Sequence, residues 1–125
     1  MKLVRFDAGI GFSLEDHPDE VIRGRSENAT ISHLARTGGP THVGVFHVGP
    51  GGVIGRHPAG MPQAFLVVAG EGWVSGEDRE RVRLSAGQGV FWTKGEDHES
   101  GSEGGMTAVV IEADEPDLDR LLRDL

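Results

Sequence analysis

GGVIGRHPAGMPQAFLVVAG, residues 51–70, and GQGVFWTKGEDH, residues 87–98, are the two stretches that decide the fold. The apolar run AFLVVA at 64–69 does not alternate between apolar and polar positions. A strand of that kind is covered on both faces. One face would line a barrel, and the other needs a cover, either a partner subunit or the chain's own strands. Glycines at 51, 52, 60, 70, 87 and 95 mark turns and sharp backbone bends at the ends of such strands. Period-two alternation puts His57 on the same face of its strand as Ala59.

Working outward, further strands are predicted at Leu3–Phe6, Val21–Arg25, Thr30–Ala35 and His42–Val48. Others are predicted at Ala64–Val68, Trp73–Ser75, Arg81–Leu84, Val90–Trp92 and Met106–Glu112. Turns or loops are expected at Thr37–Pro40, Gly49–Gly52, Gly76–Asp78 and Gly101–Gly105. Many short strands at this spacing indicate an all-β barrel or sandwich. One helix is predicted over 116–125. Proline suits its first turn, and Leu118, Leu121, Leu122 and Leu125 form one apolar stripe.

The chain has 125 residues, which fits one domain. There is no cysteine, so disulfides, thiolate chemistry and Cys-type zinc sites are excluded. The longest apolar run is far short of a membrane span, and no leader sequence is recognisable at the start. A cytoplasmic protein with no membrane association is expected. A net charge of -8 argues against nucleic acid as a partner. The only dense basic stretch, Arg79–Arg83, is interrupted by Glu80.

The two glycine frameworks resemble the signature motifs of the cupin family. The first motif is usually G-x5-H-x-H-x3,4-E-x6-G. Here Gly51, His57, Gln63 and Gly70 fall in step, with Ala59 at the second histidine position and Gln63 at the glutamate position. The second is usually G-x5-P-x-G-x2-H-x3-N. Here Gly87, Gly95 and His98 match, with Thr93 and Ser102 at the proline and asparagine positions. The resemblance covers about residues 40–112. It implies a single-domain cupin jelly-roll β-barrel over residues 1–125, with the barrel core at about 30–112 and the C-terminal helix as an appendage. It also implies a homodimer.

The usual motifs hold a divalent metal, Fe, Mn, Ni or Zn, through three histidines and one carboxylate. This chain retains His57, Gln63 and His98 of that set, so a His-Gln-His metal site is one expectation. A contact carboxylate is worth on the order of ten kcal/mol to a divalent ion at ~2 Å and an effective dielectric of ~20. Desolvation offsets much of this. A neutral Gln63 in its place, and Ala59 in place of an imidazole, therefore weaken a metal site of the usual kind.

The expected pocket comprises His57, Gln63, His98, Met61 and Trp92. Two imidazoles and an amide suit a carboxylate- or hydroxyl-bearing ligand. Histidine titrates near neutral pH, so His57 and His98 are also candidate acid/base residues. Arg56 is expected to face solvent, and Gln63 could instead satisfy a buried backbone group. Of His42 and His47 at most one can enter the pocket. Asp97 and Glu99 are expected in a solvated loop, and His17 and His33 at the surface. Trp73 and Trp92 read as core or interface packing, or as stacking platforms.

The function read from the sequence is binding of a small polar organic molecule in the barrel pocket. Two alternatives stay open: a metal-dependent enzyme of the dioxygenase or isomerase type, and a metal-free acid/base enzyme using His57 and His98. No DNA-binding helix is visible.

Overall fold

Antiparallel strands are the main elements of the computed structural model, which describes residues 1–125. In chain order these are β1 (Lys2–Arg5), β2 (Phe12–Ser13), β3 (Thr30–Ile31), β4 (Thr41–Val48), β5 (Val53–Pro58) and β6 (Gln63–Ser75). After them come β7 (Arg81–Ser85), β8 (Gln88–Trp92), β9 (Asp97–Gly101), β10 (Met106–Ala113) and β11 (Arg123–Asp124). A single short α-helix, α1 (Glu20–Arg25), precedes β3.

The expected strands at 64–68 and 73–75 are one long strand, β6, that serves both layers of the barrel. Its first half pairs with β8 and β10 in the order β11-β1-β8-β6-β10-β4. Its second half pairs with β7 and β9, and β9 pairs in turn with β5. The change of layer follows a register shift in the β6–β10 ladder. Gly70 stands at the change with a φ of 72°, the left-handed region. A Cβ there would also run into the Gly105 carbonyl oxygen, so only glycine fits.

Alternation along β6 then builds two cores. Phe65 and Val67 point inward and pack with Val48, Val74, Leu84, Val90, Trp92 and Met106 inside the barrel. Ala64 and Leu66 point outward and pack with Val4, Phe91, Ile111, Leu118 and Leu122. The outer face of 64–67 is therefore covered by the chain's own N- and C-terminal segments, and no partner is needed there.

Three expectations are corrected. Residues 21–25 form helix α1, because Asp19 caps it, accepting hydrogen bonds from the Val21 and Ile22 amides. Of 30–35 only Thr30–Ile31 pairs, with β2. The helix expected over 116–125 is instead a series of turns with three-residue backbone bonds, such as Leu118 to Glu115 and Leu122 to Asp119. Ten residues make a marginal helix in isolation. Here the last of them pair with β1 as β11, which a helix could not do. Only Leu118 and Leu122 of the stripe are buried. No helix is long and apolar enough to cross a membrane.

Candidate functional site

The site forms where β5 meets β9. The two strands pair at Val53↔Gly101 and Ile54↔Ser100, then at His57↔His98 and Pro58↔Asp97. Between these pairs β5 advances three residues and β9 two, so β5 carries one extra residue. Without that bulge Ile54 and His57 would point to opposite faces. With it, both line one cleft, together with Phe46, Gln63, Phe65, His98 and Ser100.

The bulge is pinned by Arg56, which is not in solvent as expected. Its guanidinium donates to the Gly76 carbonyl at 2.8 Å and to Ser75 Oγ at 2.7 Å, and lies 3.5 Å from Asp97. Asp97 and Glu99 lie within β9 and not in a loop. Arg56 thus ties the strand of His57 to the strand of His98.

His57 and His98 stand opposite each other, with ring centroids 4.5 Å apart and planes inclined at 55°. His57 Nδ1 faces the Gly55 carbonyl at 2.6 Å, and His98 Nδ1 faces the Glu96 carbonyl at 3.0 Å. A carbonyl only accepts, so both Nδ1 atoms carry the proton. When neutral, each ring then presents Nε2 as a lone pair. Trp92 stacks on His98 with centroids 4.7 Å apart and planes 20° apart. Burial holds the His98 pKa below its ordinary value. The Glu96 carbonyl bond opposes that shift, and the neighbouring His57 adds to it.

Gln63 is 8% exposed, and its carboxamide, which makes no hydrogen bond within the protein, reaches the open side of the cleft, so no fully buried polar atom is left without a partner. It faces the cleft and does not serve the backbone. The cleft itself encloses about 20 Å³, room for about one water-sized group. Larger hollows beside His47 and Met106, about 450 Å³, and beside Trp73 and Glu103, about 270 Å³, are surface grooves away from both motif histidines.

Not every expected residue reaches the cleft. Met61 does not line it, and Trp92 acts behind His98 as a stacking wall. His42 and His47 are both exposed on β4, with His42 next to Glu112. Trp73 is half-buried beneath the Arg81 guanidinium. Ser100, Phe46, Ile54 and Phe65 were not expected. Two of them had a signal: Ser100 is two residues beyond His98, and Phe65 two beyond Gln63, each on the same strand face.

As a metal centre the donor set is poor. Two imidazoles and a neutral carboxamide converge, no carboxylate lines the cleft, and no cluster of three or more His, Cys, Asp or Glu is placed to hold an ion. Ala59, where the resemblance puts another imidazole, is 3% exposed and packs into the barrel core. The residues present do not fit the three-histidine, one-carboxylate set.

The cupin domain profile matches residues 44–114. No curated protein matches the chain. Among solved structures, a cupin superfamily protein from Desulfitobacterium hafniense is similar with a TM-score of 0.57 and 13% identity, covering 79% of this chain and 90% of that one. A cupin-2 domain containing protein from Shewanella frigidimarina is similar at 0.53 and 17%, covering 64% and 76%. A predicted oxalate decarboxylase from Thermotoga maritima is similar at 0.51 and 20%, covering 66% and 65%. Likeness at these identities concerns the fold.

Proposed function

Because this chain belongs to the cupin domain family, whose profile spans residues 44–114, we propose that it binds a small polar organic molecule at the mouth of its barrel, between His57, Gln63 and His98. The observation that carries this reading is the paired imidazoles. Both Nδ1 atoms are tied to backbone carbonyls, so both Nε2 edges are left for something that is not protein. Gln63 adds a carboxamide with no protein partner. Apolar walls from Phe46, Ile54 and Phe65 give such a molecule a dry side.

The test is a thermal-shift screen of small alcohols, sugars and organic acids against the wild-type chain, His57→Ala and His98→Ala. A compound that raises the wild-type Tm and leaves both variants unmoved supports the reading. Stabilisation that persists in both variants places the binding elsewhere and sinks it.

A second reading, proton transfer by the pair, is favoured by the lowered pKa of His98, which keeps its Nε2 in the base form at neutral pH. Turnover that falls at least a hundredfold in His98→Gln, with ligand affinity retained, would select it. A cytoplasmic location and a homodimer belong to the same proposal. With the outer face of β6 already covered, the surface offered to a second copy is the open edge of β4, which pairs only with β10.

A further inference from the structure

Resting on the pocket reading above, we infer that the group this cleft accepts is a neutral hydroxyl, in preference to a carboxylate or an ammonium. The lining supplies the argument. None of its seven side chains is a lysine, arginine, aspartate or glutamate. The guanidinium of Arg56, next to His57 in β5, is committed to Ser75, Gly76 and Asp97. A carboxylate entering the cleft would leave water without meeting a cation, and an ammonium would do so without meeting an anion. Either costs far more than transfer of a neutral group.

Hydrogen-bond polarity separates the hydroxyl from the carboxylate in the same direction. Each neutral imidazole offers an Nε2 lone pair, because each Nδ1–H is used. Gln63 and Ser100 each donate and accept. A carboxylate only accepts, and would face two lone pairs. An ammonium would find acceptors at both Nε2 atoms and at Gln63, but no carboxylate in the lining to balance its charge. A hydroxyl donates to an Nε2 and accepts from Gln63 or Ser100 at once. Burial of His98, which disfavours its charged form, keeps that acceptor in place at neutral pH.

Size agrees. About 20 Å³ admits one hydroxyl-sized head. The alkyl stem lies against Phe46, Ile54 and Phe65. His57 is exposed, so the rest of the molecule extends outward past it.

The experiment uses three probes with the same three-carbon tail: propan-1-ol, propanoate and propylammonium. Each is titrated to the same concentration at pH 7.5 into the full chain, with the imidazole nitrogens followed by long-range ¹⁵N NMR. Propan-1-ol is expected to shift the Nε2 resonances of His57 and His98 saturably and at lower concentration than the other two. Ser100→Ala is expected to weaken that titration several-fold without altering the spectrum elsewhere. Saturation by propanoate or propylammonium below propan-1-ol overturns the hydroxyl preference and leaves the pocket standing. If no probe moves either ring, the pocket reading fails and the preference falls with it.

Discussion

The imidazole of His98 lies 4% exposed between Trp92 and His57, and that burial lowers its pKa. The consequence is a pH-dependent stability with a definite sign. In the unfolded chain the ring takes up a proton at the ordinary value of about 6.5, whereas in the folded chain it does so only at lower pH. The unfolded state therefore binds more protons over the interval between the two values. Stability contributed by His98 is fully present above the unfolded value and is lost as pH falls from there through the folded value. Melting curves between pH 7.5 and 4.5 should show this loss in the wild type and a shallower one in His98→Phe, which keeps an aromatic ring against Trp92. Equal slopes would mean that His98 is not held neutral. Gln63 gives a second test at this scale. Because Gln63 lines the cleft together with the histidine pair, Gln63→Glu places a carboxylate beside two imidazoles. Affinity for Ni(II), read by calorimetry, should then rise at least tenfold over the wild type. An unchanged affinity would put the side chain elsewhere. His57, Gln63 and His98 were legible in the sequence because spacing within a glycine frame carries them. The inward turn of His57 was not. It depends on one extra residue in β5 relative to β9, and pairing between strands leaves no mark on either strand alone.

Among the elements, the strands of the barrel were legible and its ends were not. AFLVVA reads correctly as a strand, and its first four residues have two covered faces, since both cores claim alternate residues of 64–67, while Val68 is 44% exposed. Its continuation to Ser75 is less visible, because Gly70 looks like a terminator and is in fact a bend. The last ten residues misled for a different reason. Leucines at helical spacing are also compatible with a chain of turns that buries two of them. Leu118 and Leu122 are 1% and 8% exposed, while Leu125 is 52% exposed. A helix stripe would bury all four. Urea titrations should therefore separate the leucines. Leu118→Ala is expected to cost about 2–5 kcal/mol, as for a buried leucine elsewhere. Leu125→Ala should stay within about 0.5 kcal/mol of the wild type. Comparable losses at both positions would restore the helix.

For the molecule as a whole, membership of a family fixes the barrel and leaves the chemistry to the cleft, since one fold carries many activities. It also leaves open how many chains make the working unit. β4 runs Thr-His-Val-Gly-Val-Phe-His-Val and contains no lysine, arginine, aspartate, glutamate or proline. These are the residues by which edge strands ordinarily avoid pairing with other chains. Its outward side chains Val43 and Val45 are exposed. An antiparallel strand meeting its own copy about a twofold axis satisfies the open amides and carbonyls of both and covers those valines. A lysine at the centre of the strand opposes that pairing while pointing away from the core. Light scattering should thus give about twice the 13.3 kDa chain mass for the wild type. Val45→Lys should give the single chain mass, with an unchanged circular dichroism spectrum. A wild-type chain that stays monomeric at about 100 µM, well above the micromolar range in which weak specific dimers form, would remove β4 as an interface.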